Sequence, residues 1–215
     1  SLAMSKSKGA FGARRSALAL ALSAAVLLAV GQAGLWLRIE PIATWSYDLS
    51  WWSAILLADA VVSLRTGASI LLSRPRGFLG LAIASAPYWL LYECANLRLS
   101  NWYYVGIPPD PFTLTLGVFL SFATVLPGVL EIEALITSFV PRADGSRVAR
   151  KLGRGVRALL TIAGAACLIL PLLFPRIAYP LIWGAAFLLL EPWLAGRDER
   201  SLLGRLAAGD RWPLL

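Results

Sequence analysis

No histidine occurs anywhere in this 215-residue sequence. That absence removes zinc sites that need imidazole, histidine-ligated haem, and serine or cysteine nucleophiles activated by a neighbouring imidazole. Cysteine is nearly absent too. Cys94 and Cys167 stand in separate apolar runs with no C-x-x-C pair, which argues against a thiol oxidoreductase or a cysteine-based metal centre. The only lysines, Lys6, Lys8 and Lys151, lie in polar segments, so no lysine is placed to form a Schiff base among apolar helices. There is no P-loop, no H-E-x-x-H, no G-x-S-x-G, and no paired Asp-rich motif of the kind that works with magnesium on prenyl diphosphates. No metal and no cofactor is expected. Carboxylates, tyrosines and arginines remain available for acid–base work, so the sequence leaves open whether the protein is an enzyme.

Charge is scarce as well, at 15% of residues, against about 25% in soluble domains. Apolar residues make up 58%, more than one water-surrounded core of this size needs, so the solvent around most of the chain is lipid. The fold class expected is all-α: a single integral membrane domain over residues 1–215, polytopic, with about six transmembrane helices. The hydrophobic runs place them at about 16–37, 51–72, 77–97, 112–139, 156–174 and 177–194. The second has an alternative frame from Ile42 to Leu64. Each run crosses roughly 30 Å of hydrocarbon at about 1.5 Å per residue, the sixth only just. Tryptophans and tyrosines around residues 36–52 mark a segment at headgroup depth.

The basic residues are divided unevenly among the gaps. Seventeen of the twenty lie in the arm 1–15, the 65–76 and 140–157 loops, and the tail 195–215; only Arg38, Arg98 and Arg176 fall on the other side. The positive-inside rule then puts both termini in the cytoplasm, in a multi-pass protein of a bacterial or archaeal inner membrane. The expected partners are membrane lipids, with anionic headgroups at the basic loops, where each surface Lys or Arg is worth about 1 kcal/mol. The net charge of +8 is accounted for in this way, and no nucleic-acid partner is expected. Protein partners are not indicated.

Two stretches are similar. Asp59 is followed by Arg65 at +6 and Ser69-Ile-Leu at +10; Glu191 is followed by Arg197 at +6 and Ser201-Leu-Leu at +10. A tryptophan precedes each acid, and an Arg-Ile step lies further upstream. Helices one and two thus resemble helices five and six, a weak direct repeat of parallel sense. By that analogy Trp212-Pro213-Leu214-Leu215 is the start of a truncated seventh helix; otherwise the tail lies in the interface.

An ionisable group at the bilayer centre costs roughly 2.5–3.5 kcal/mol on insertion scales, so acids within the runs are the functional candidates. Trp89, Glu93 and Asn96 share one helix face, beside Tyr92, Arg98, Asn101 and Trp102. They form an aromatic and polar patch suited to the polar end of a lipid or isoprenoid, with Glu93 as its catalytic proton donor or acceptor. An interfacial belt with Glu93 paired to Arg98 is the plainer alternative. Gly117, Ser121, Thr124, Gly128 and Glu131 form a stripe that fits close helix packing and turns Glu131 inward. Glu133, about 200° round by helical geometry, points elsewhere. Asp59, Arg65, Glu131, Glu133 and Glu191 are the buried polar candidates. Three functions remain: binding or modifying a lipid or isoprenoid, which the patch favours; proton- or cation-coupled transport on the inner acids; and a non-catalytic structural subunit.

Overall fold

The computed structural model describes residues 2–140, 151–195 and 201–207, with side chains described from residue 11 onward. The expected all-α class is borne out: among the described residues the ordered elements are helices. They are α1 (Leu2–Leu37), α2 (Ser46–Thr66), α3 (Ile70–Ser73), α4 (Pro75–Leu99), α5 (Pro111–Phe122), α6 (Val125–Phe139), α7 (Arg154–Leu173), α8 (Pro175–Ala178), α9 (Ile182–Leu194) and α10 (Leu202–Ala207). Arg142, Arg147, Arg150, Arg197 and the Trp212–Leu215 segment lie outside the described residues. So does the expectation of a seventh helix.

Five helical spans in the described residues are long and apolar enough to cross a membrane: Phe11–Leu37, Pro75–Leu99, Pro111–Phe139, Arg154–Leu173 and Pro175–Leu194. The expected second crossing is the exception. At 21 residues α2 is long enough, but it is too polar to stand with these five. The physical reason is that α2 turns its polar groups inward. Ser46, Asp48, Ser53, Asp59 and Ser63 are all buried on it, so its low hydropathy reflects an interior position. It also ends earlier than expected. Gly67 at φ +83 stops it in a left-handed cap, its N–H returning to the Ser63 carbonyl.

Two other expected helices are interrupted. The run 112–139 breaks at Ala123-Thr124 into α5 and α6, just before Pro127, which cannot donate to the helical ladder. Ser85 of α4 bridges the break. Its hydroxyl donates to the Phe122 carbonyl at 2.5 Å and accepts from the Leu126 N–H at 2.9 Å. The run 177–194 opens with α8 and a 3₁₀ turn, Tyr179–Leu181, before α9 begins. At the start of α5 the Asp110 carboxylate accepts the Thr113 N–H at 2.7 Å, with Pro111 in the first turn. That bond holds the exposed Asp110 carboxyl below the ordinary carboxylate range. Its contribution is present above that range and lost as the solution turns acid.

The chain forms two compact units, residues 1–92 with 104–141, and residues 93–103 with 142–215. In the first, α1 packs along α2, and α2 packs on α6. In the second, α7 packs along α9. The α7–α9 crossing is close because Gly164 has no side chain: a Cβ there would lie 2.9 Å from the Leu188 carbonyl carbon and the Leu189 nitrogen. Backbone cannot yield as a flexible side chain can. Gly164→Val is therefore expected to cost about 1–3 kcal/mol, read as a lower unfolding midpoint in detergent, whereas Gly184→Ala, with open space at its Cβ, leaves the midpoint nearly unchanged.

Candidate functional site

The buried acids fall into two kinds. Asp59 is fully buried on α2. Its Oδ2 accepts the Ser69 hydroxyl and its Oδ1 accepts the Leu71 N–H, each at 2.7 Å. Ser69 is the N-cap residue of α3 but makes no cap bond with its own side chain. Asp59 does that work instead, closing the chain from 67 to 71 onto the middle of α2.

Glu191 on α9 repeats this arrangement. Its Oε1 accepts the Ser201 hydroxyl at 3.1 Å and the Leu203 N–H at 2.8 Å. The offsets are 10 and 12 residues in both places. Ser201 precedes α10 as Ser69 precedes α3, and it also caps the Gly204 N–H. The weak sequence repeat is thus matched by the same hydrogen bonds at the same spacing. Asp48, which the sequence reading assigned to an interfacial segment, belongs to the satisfied group: it is buried and accepts the Ser121 hydroxyl at 2.8 Å.

Glu131 differs from all three. It is fully buried on α6, and among the described residues neither of its oxygens has a hydrogen-bond donor. The neighbour its carboxyl meets is that of Asp59, within hydrogen-bonding reach. The only other unpartnered buried side-chain atom among the described residues is the Trp52 indole nitrogen. An unsatisfied buried polar group costs about 1–3 kcal/mol, more when charged, so Glu131 is an expense the fold itself does not require.

Arg65, expected among the buried polar residues, is exposed instead, and it does not neutralise this pair. Its guanidinium reaches the end of α6, with Nε 3.1 Å from Ser138 Oγ, Nη2 3.1 Å from the Ser138 carbonyl, and Cζ 3.6 Å from the Phe139 ring centre. There it satisfies a helix C-terminus with a favourable charge. Glu133, expected among the buried polar residues, is exposed instead, because two residues on from Glu131 it turns to another side of α6. Among the described residues no group of three or more acids, cysteines or histidines is placed to hold a metal.

The residues of the aromatic patch are divided between the two units. Trp89 and Tyr92 lie in the first unit with Tyr88, Tyr104 and Phe122. Trp89 packs on Tyr92 at 5.6 Å and on Phe122 at 6.3 Å between ring centres, and its indole N–H meets the Tyr104 hydroxyl at 3.4 Å. Glu93, Asn96, Asn101 and Trp102 lie in the second. There the Trp102 indole donates to Glu93 Oε1 at 3.1 Å, and Trp102 stacks near Trp183 at 5.6 Å. Asn96 holds the following loop: its Nδ2 donates to the Trp102 carbonyl at 2.9 Å, and its Oδ1 accepts the Asn101 N–H at 2.9 Å. Arg98 and Asn101 are exposed. Asn96 therefore works as a loop clamp, and Asn96→Ala is expected to speed chymotryptic cleavage at Tyr103 and Tyr104 in the folded protein. Unchanged cleavage would contradict that role.

Sequence reasoning missed Ser85 and Asp48. Ser85 carried no signal beyond a lone hydroxyl in an apolar run. No family model matches the chain, and no curated protein or solved structure matches it either.

Proposed function

We propose that this protein is a small coupled membrane transporter whose carrier group is Glu131, working against Asp59. The observation that carries the reading is the unpartnered, fully buried carboxyl of Glu131 facing a second buried carboxyl. Asp59, Glu191 and Asp48 each have donors that explain their burial. Glu131 has none, and an intramembrane acid that the fold does not use for structure marks an ion path by default. A direct structural repeat, here two helix pairs each carrying a clamped acid, is a common plan for transporters. The distribution of basic residues supports the orientation read from the sequence, both termini cytoplasmic, with Asp59 and Glu131 towards that side.

The test is charge movement. The protein is reconstituted in liposomes adsorbed on a solid-supported membrane, and the proton or sodium concentration is stepped. A transient current in the wild type that is lost in Glu131→Gln supports the reading. No current in the wild type, or equal currents in both, overturns it.

A second reading rests on the ring group of Tyr88, Trp89, Tyr92, Tyr104 and Phe122: binding the polar end of a lipid or isoprenoid. Glu93 and Asn96 add less to it than their spacing implied, because Trp102 and the loop backbone engage them. Mass spectrometry of what co-purifies with the wild type and with Trp89→Ala decides it. One defined lipid present only in the first supports it; the same bulk mixture in both counts against it.

A further inference from the structure

Resting on the reading of Glu131 as the carrier group, we infer that the ion it carries is a proton, held on Glu131 and directed at Asp59, and not a metal cation. Donors and lone pairs decide between the two. Asp59 receives a hydroxyl on one oxygen and a backbone N–H on the other, both at 2.7 Å. Two donors aimed at one carboxylate stabilise it as the anion, and each of its oxygens keeps a further lone pair for another donor. Glu131 lies beside it with two buried acceptor oxygens and, among the described residues, no donor.

Two adjacent carboxylates repel strongly in a dry site. A metal ion would remove the repulsion only by collecting oxygen ligands, six or more for hard cations such as calcium. Asp59 already carries two protein donors, one on each oxygen, and a donor engages a lone pair that a cation would need. Among the described residues no cationic side chain is paired with either acid. Of the charged groups on the elements packed at this point, Arg65 is engaged at Ser138 and Phe139, and Glu133 faces outward. One proton on Glu131 meets every requirement. It removes one of the two like charges and turns Glu131 into a donor. Asp59 then has three donors around one anion.

The arrangement also supplies a coupling device. When the proton moves, the Glu131 O–H bond breaks and an Asp59 O–H bond forms, so Glu131 becomes the carboxylate and the charge of the pair is unchanged. A neutral Asp59 is a weaker acceptor for Ser69 and Leu71. The clamp on residues 67–71 therefore loosens when the proton is on Asp59 and tightens when it returns.

Infrared spectra of the reconstituted full chain, in water and in deuterium oxide, test the inference beside the current measurement. The expected result is a carbonyl band of a protonated carboxylic acid at neutral pH, shifted by deuterium and lost in Glu131→Gln. Currents are then expected on proton steps and not on sodium steps. A wild type without the band, or a band that survives Glu131→Gln, overturns the proton assignment. If currents still follow sodium steps in that case, the carrier reading stands. A Glu131-dependent band without any current supports the proton and overturns the carrier reading instead.

Discussion

Asp59→Ala is expected to destabilise the protein by about 2–5 kcal/mol, the larger part from two donors left without an acceptor. The Ser69 hydroxyl is buried and the Leu71 N–H partly so, and water does not replace the lost carboxylate freely at either. The loss reaches beyond one contact, because the same carboxylate caps α3 and closes the turn after Gly67. Ser69→Ala removes one of the two bonds together with its own donor, and a loss of about 1 kcal/mol follows. Glu191→Ala is expected to behave like Asp59→Ala, since Ser201 and Leu203 depend on it in the same way. Unfolding in detergent, followed by tryptophan fluorescence, measures all three. An Asp59→Ala midpoint indistinguishable from wild type would contradict the clamp.

Glu131→Gln is expected to do the reverse: little to stability and everything to function. The amide keeps the shape and, as a donor, can be offered to Asp59, so the unfolding midpoint stays within about 1 kcal/mol of wild type. The amide cannot take up or release a proton, and the charge movement on proton steps is expected to vanish. A variant that unfolds as readily as Asp59→Ala would assign Glu131 to structure and remove the case for a carrier. The opposite responses of two touching carboxyls separate a structural acid from a functional one more cleanly than either does alone.

Much of this was legible in the sequence, for identifiable reasons. Apolar runs of 20 or so residues report membrane helices directly, because lipid leaves the backbone few alternatives. The Asp59 and Glu191 spacing was legible because the clamp is local: acid, serine and N–H lie within 12 residues. Polarity was the misleading signal at α2, which carries too many inward polar groups to score as a span yet lies inside its unit. The break at Ala123 was not legible, because the serine that bridges it comes from another helix, 37 residues upstream. The distinction between Glu131 and the other acids was likewise out of reach. Spacing placed it on an inward face, but the absence of a donor depends on what α2 presents to it, and that is set by tertiary packing. At the patch around Glu93 the spacing named the residues but not their partners. A helical stripe of recognition-type residues looked free for a ligand, while Asn96 and Trp102 were already engaged with the loop that follows.

The most direct test of the account is labelling with a hydrophobic carbodiimide, which reacts with protonated carboxyls in apolar surroundings, followed by peptide mass spectrometry. Loading Glu131 requires the site to open, and the reagent is expected to enter from the bilayer in that open form. The account predicts an adduct on Glu131 of the wild type, with Glu191 unlabelled because the Ser201 hydroxyl and the Leu203 N–H already occupy its carboxyl. Adducts confined to exposed Glu133, or no adduct on Glu131 at saturating reagent, would contradict it.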